Sequence, residues 1–164
     1  MGDNAVLLNA YTAVLRGKNN ATGVGVVEAY DLDHAVNSRL ANISTRGLVQ
    51  TEDNVLIGGM IVLGQNPLRV LLRAIGPSLT VSGALGNPTL ELRDTNGALI
   101  LANNDWQDNP IQAAELIAAG LAPSNNLESG ISVTLSPGLY TALLAGRDFG
   151  TGIGVVEVYD LGAP

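Results

Sequence analysis

Two stretches of this chain share one pattern of apolar and polar positions. Residues 10–32 read AYTAVLRGKNNATGVGVVEAYDL, and residues 139–161 read LYTALLAGRDFGTGIGVVEVYDL. In the first, apolar or β-branched runs of strand length, Tyr11–Leu15 and Val24–Tyr30, flank a loop of Gly, Asn and Thr. Such a pattern predicts a β-hairpin that turns between Gly17 and Gly23, matched by Gly146 and Gly152 in the second copy. Glu28 and Glu157 interrupt the second strand at one fixed place, so that face is expected to meet solvent or a basic partner.

Between the copies, Asp31–Arg46 is polar and low in β-branched residues and reads as a connector. Apolar segments at Gly47–Gln50 and Asn54–Leu63 flank a turn at Thr51-Glu52-Asp53. Leu68–Ile75 is a strand carrying Arg69 and Arg73, stopped by Gly76-Pro77-Ser78. Thr89–Arg93 and Ala98–Ala102 form a hairpin on Asn96-Gly97, the favoured type I′ pair. Pro110–Ala119 is the one helix, with Asp108 or Asn109 as cap and Gly120 as stop. Ile131–Leu135 is a strand that leads through Ser136-Pro137-Gly138 into the second copy. Many short strands with one short helix predict an all-β, antiparallel β-sandwich of jelly-roll type.

The two copies align without a gap at an offset of 129, with 14 of 23 positions identical. An offset of that size is a domain length rather than a solenoid period. It divides the chain into residues 1–33, an additional copy of the closing segment, and residues 34–164, a β-sandwich domain. The arrangement fits one unit of a tandem array preceded by the end of another; the alternative is a single sandwich with an internally duplicated segment.

Composition narrows the function classes. The chain has 164 residues and a formal net charge of −7, which disfavours a nucleic-acid groove or an anionic membrane surface as partner. Charged residues are only 14% and hydrophobic ones 46%, the reverse of what disorder requires. Cysteine is absent, which excludes disulfides, thiolate metal sites and cysteine nucleophiles. The Met1-Gly2-Asp3 start lacks the basic and apolar regions of a signal peptide. No apolar run approaches the ~20 residues that span a bilayer, so no membrane insertion is expected.

The run from Pro88 to Asp105, with its Asp94-x-x-Gly97 turn and Asn103-Asn104-Asp105 cluster, continues into Leu127–Thr141 with its Pro137-Gly138-x-Tyr140 strand. Together these resemble bacterial pre-peptidase C-terminal (PPC-like) β-sandwich domains. Residues 38–47, 54–62, 69–79 and 121–129 resemble tandem-repeat modules of large secreted and surface proteins of environmental bacteria, of the Verrucomicrobia and Acidobacteria type. The resemblance implies modularity and a secreted, extracellular or cell-surface location, and no assigned activity.

Candidate chemistry is sparse. The single His, His34, lies in the connector, and there is neither a G-x-S-x-G elbow nor a P-loop, so no enzyme is expected. Asn103, Asp105 and Asp108 offer oxygens of the kind Ca²⁺ takes, though without EF-hand spacing; the alternative is an Asx-turn before the helix with Trp106 as a core plug. No cofactor is required, Ca²⁺ being the one to consider. Arg69, Arg73 and Arg93 are expected to pair with Glu91, Glu128 or Glu157 across a sheet. A chain carrying a spare copy of its own closing strands has unpaired edges that recruit pairing. The expectation is therefore a structural module that associates with itself head-to-tail, as a homo-oligomer, filament or array, through Tyr11, Val14, Val24, Val26, Tyr30, Tyr140, Val155 and Tyr159. The alternative is a calcium-dependent adhesion or glycan-binding module.

Overall fold

Leu68–Ile75 is apolar on both faces apart from its two arginines, the signature of a strand covered on both sides. In the computed structural model, which describes residues 11–30 and 41–163, it is the central strand β3 (Leu68–Ile75). The other strands are β1 (Asn42–Val49), β2 (Leu56–Val62), β4 (Pro88–Asp94), β5 (Leu99–Asn103), β6 (Ser129–Leu135), β7 (Gly138–Gly146) and β8 (Gly152–Gly162), with helix α1 (Pro110–Ala118) between β5 and β6. They form two four-stranded antiparallel sheets, β1-β8-β3-β6 and β2-β7-β4-β5. This is the predicted jelly-roll sandwich. The chain divides into two units, residues 1–39 and 40–164.

The core of the second unit lies between the sheets. Val49, Val70, Leu72, Leu90, Leu92, Ile131, Leu144 and Val156 are buried there, each large aliphatic worth about 1.5–3 kcal/mol of transfer free energy. A smaller core covers the outer face of the first sheet, where Leu71, Trp106, Ala113 and Leu116 pack with Tyr159 and Leu161. Helix α1 sits close to β6 because Gly130 lacks a side chain: a Cβ there would lie 2.7 Å from Leu116 Cδ1. Asn109 caps the helix by accepting from the backbone N–H of Ile111 and Gln112. Gly120, at φ +68°, ends it in a Schellman turn, with Gly120 N donating to Ile117 O and Leu121 N to Leu116 O.

In the second unit the structure corrects three local expectations. Residues 139–161 are not a hairpin: β7 pairs with β2 and β4, whereas β8 pairs with β1 and β3 in the opposite sheet. The segment is an arch that crosses the sandwich and supplies an inner strand to each layer. Period-2 alternation is the same in a hairpin and in an arch, so partner choice falls to contacts distant in sequence. Part of the presumed connector is strand β1, whose polar residues suit a sheet edge. The rest, residues 31–40 with His34, lies outside the described residues.

The third concerns the β4–β5 turn. Only Gly97 of its central residues has positive φ, +78°, and Gly97 N donates to Asp94 O at 3.0 Å. That is a type I turn followed by a glycine bulge, stabilised by Asp94 Oδ1 accepting from Asn96 N and Ala98 N, rather than a type I′ pair.

In the first unit, residues 11–30 carry no strand, against the expectation for Tyr11–Leu15 and Val24–Tyr30. They do carry the turn of the arch. Lys18–Asn20 is a 3₁₀ turn with Asn19 and Asn20 at φ +55° and +59°, and Arg147–Phe149 is the same turn with Asp148 and Phe149 at +52° and +62°. Both need glycine at the entry, where a Cβ on Gly17 or Gly146 would meet the carbonyl oxygen four residues on at about 2 Å.

Candidate functional site

The arch is held in the sandwich by a row of polar groups across the first sheet. Register places Glu157 of β8 opposite Ser44 of β1 on one side and Arg73 of β3 on the other. Ser44 Oγ donates to Glu157 Oε1 at 3.0 Å, and Arg73 Nε donates to Oε2 at 2.7 Å, with Nη2 2.5 Å from the same oxygen. Arg73 Nη2 also donates to Tyr159 Oη at 2.8 Å, and Nη1 to Leu121 O at 3.0 Å. The guanidinium lies 5.1 Å from the centre of the Tyr159 ring. One arginine thus reads a Glu-x-Tyr pair on the arch and ties it to the loop after α1. Burial, and secondarily the Glu157 charge, raise the Tyr159 phenol above its ordinary value, with Arg73 opposing.

A cavity of about 350 Å³ beside this row is lined by Ser44, Arg73, Ser124, Glu128, Val155 and Glu157 among others. Glu128 is fully buried and, contrary to expectation, pairs with none of Arg69, Arg73 and Arg93. Its Oε1 accepts from Gly76 N, Ser78 N and Ser78 Oγ, and its Oε2 from Asn125 N. The carboxylate binds the loop after β3 to the loop before β6. Arg93 pairs with Glu91 two residues away on its own strand rather than across the sheet. Arg73, Glu157 and Glu128 thus direct their charged atoms at protein groups, and the cavity is a structural joint.

The predicted assembly residues fall into two environments. Tyr140 packs on the core and donates to Ser136 O, Val155 lines the cavity, and Tyr159 meets Arg73. Those in the first unit are open: Tyr11 is 88% exposed, Val24 94% and Val26 78%, with Val14 and Tyr30 exposed too. Leu15 is 57% exposed, whereas its counterpart Leu144 is fully buried. Tyr30 Oη donates to Glu28 Oε1 at 3.2 Å, and that bond raises the phenol above its ordinary value. In the second unit the guanidinium of Arg73 stands between the equivalent pair.

The loop before α1 uses its polar groups for bracing. Asn103 Nδ2 donates to Asp105 O, and its Oδ1 accepts from Gly130 N. Asp108 N donates to Asp105 O, and Asn104 Nδ2 to Asp105 Oδ2. Arg147 Nη1 stands 3.7 Å from Asp105 Oδ2, so this carboxylate already has a positive neighbour. Among the described residues no group of three or more His, Cys, Asp and Glu is gathered to hold a metal ion. Asn104 Oδ1 and Asp105 Oδ1 are buried acceptors with no hydrogen-bond partner among the described residues. Trp106 is 6% exposed and plugs the smaller core, so its ring is no platform for a sugar.

Among the described residues no helix is long and apolar enough to cross a membrane. No family model matches the chain, and no curated protein matches it. Among solved structures it is similar to the pre-peptidase C-terminal domain of a collagenase from Bacillus anthracis, at 12% identity and a TM-score of 0.45, over 71% of this chain and 88% of that one.

Proposed function

We propose that this chain is a non-catalytic, extracellular structural module that associates head-to-tail into an array or filament, the first unit of one copy engaging the sandwich of the next. The observation that supports it is the repeated turn with its exposed apolar flanks. Residues 11–30 reproduce the turn of 140–159, yet Leu15 and Val27, whose counterparts Leu144 and Val156 are core residues, are more than half exposed. Apolar positions patterned for a core and left in solvent are a pairing surface. Sedimentation velocity and negative-stain microscopy of the full chain at rising concentration test the reading. Concentration-dependent linear assemblies are expected. They should be lost in Leu15→Asp/Val27→Asp, which changes only exposed positions. Identical behaviour of the two chains would refute the proposal.

A second reading has one observation in its favour, the buried acceptors on Asn104 and Asp105. It makes the 103–109 loop a calcium-dependent adhesion site. In that case millimolar Ca²⁺ raises the melting temperature of the full chain, and the rise disappears in Asp105→Ala. An unchanged melting temperature dismisses it in favour of Arg147 as the resident counter-charge.

A further inference from the structure

The sandwich has one seat for an arch, between β1 and β3 in one sheet and between β2 and β4 in the other, and residues 139–161 occupy it. We infer that this seat also accepts residues 10–32 of a second copy, so that the partner of the first unit is the seat of another chain emptied of its own arch. The inference rests on the head-to-tail reading above and names the surface it uses.

The residues of 10–32 match the demands of that seat. At the inward positions Ala142, Leu144, Gly154 and Val156, the first unit has the identical Ala13, Leu15, Gly25 and Val27. At the arginine-reading positions Glu157 and Tyr159 it has Glu28 and Tyr30. Gly152 must be glycine because a Cβ would lie 2.8 Å from the Leu85 backbone. Gly23, its counterpart, has nothing within 4 Å and yet is glycine. A residue that no local contact demands, matching one that the seat demands, is the mark of a segment shaped for that seat.

The two occupants are closely matched. Ala29 in place of Val158 loses two methyl groups against the core. In the other direction, Asn20 replaces Phe149, which is held at φ +62° and is 81% exposed. Asn tolerates that left-handed conformation better than a bulky aromatic does. The resident arch keeps the seat through its tether, since only Ser136 and Pro137 separate it from β6 and so hold it at an effective concentration of about millimolar or more. Exchange therefore follows weakening or release of the resident arch.

Complementation between full-length chains tests this. The acceptor is Leu15→Asp/Leu144→Asp, with neither arch able to enter a core; the donor is the wild-type chain, whose first unit is intact. Refolded together, they are expected to give a 1:1 heterodimer by size-exclusion light scattering, with the acceptor's Trp106 fluorescence returning to the buried state. A donor carrying Leu15→Asp is expected to give about tenfold less heterodimer or none. A gentler acceptor, Leu15→Asp/Val156→Ala, weakens the resident arch by about thirtyfold without abolishing folding, and its exchange with the wild-type donor should rise in proportion. Equal heterodimer yields from the two donors, or an acceptor that folds alone with Asp at position 144, would overturn the inference. Assembly that persists without complementation would leave the head-to-tail reading intact and remove only the seat as its surface.

Discussion

Replacing Arg73 with Met keeps much of the stem and removes the guanidinium. The side chain is only 18% exposed and its partner Glu157 only 15%, so the loss is felt in a mostly water-excluded setting. Three acceptors are abandoned: the Glu157 carboxylate, Tyr159 Oη and Leu121 O. Breaking one side of a buried ion pair costs about 3–5 kcal/mol, because the remaining charge stays uncompensated. The lower end applies here, about 3 kcal/mol, since Ser44 still donates to Glu157 and some water reaches the pair. Glu157→Leu alone strands the arginine in the same way. The double variant Arg73→Met/Glu157→Leu leaves no stranded charge, and a matched apolar pair is close to neutral. It is therefore expected to be more stable than either single variant, by about 2 kcal/mol. Urea unfolding followed by Trp106 fluorescence is the assay, because the one tryptophan lies in the cluster that Tyr159 joins. Additivity of the single effects to within about 0.5 kcal/mol would refute the account of Arg73 as the group that reads the arch.

Glu128→Ala orphans the backbone amides of Gly76, Ser78 and Asn125 and should lower stability by about 3 kcal/mol in the same urea assay. A change below about 1 kcal/mol would show that water replaces the carboxylate. The Tyr159 phenol is raised in the fold, so the folded state binds its proton more tightly than the unfolded chain does; this contribution is whole below about pH 10 and is lost as pH rises through the folded value. Tyr159→Phe should flatten the alkaline loss of melting temperature, and an unchanged alkaline limb would count against burial as its cause. Asn109→Ala removes the helix cap and should cost about 1 kcal/mol, read as a fall of about 4 °C in melting temperature.

Much of the fold was legible in the linear pattern where the physics is local. The extent of β3, a helix cap at Asp108 or Asn109, the Gly120 stop and the all-β class follow from apolar periodicity and from residues with strong backbone preferences. The duplicated segment was equally plain, because identity at 14 of 23 positions needs no structure to see. The Arg73–Glu157 pair was foreseen as chemistry, since two opposite charges set in apolar strands require partners. What the sequence could not state was which strands are neighbours. The arch read as a hairpin because alternation records which face a residue takes, not which strand lies beside it. Strand β1 was hidden in a polar stretch because an edge strand, paired on one side only, needs few apolar residues. Glu128 was expected opposite an arginine, and only the meeting of two loops distant in sequence brings four other donors around it. That Leu144 and Val156 are core positions while Leu15 and Val27 stand exposed likewise came only from the tertiary structure, because a residue's need for neighbours is visible only where those neighbours are.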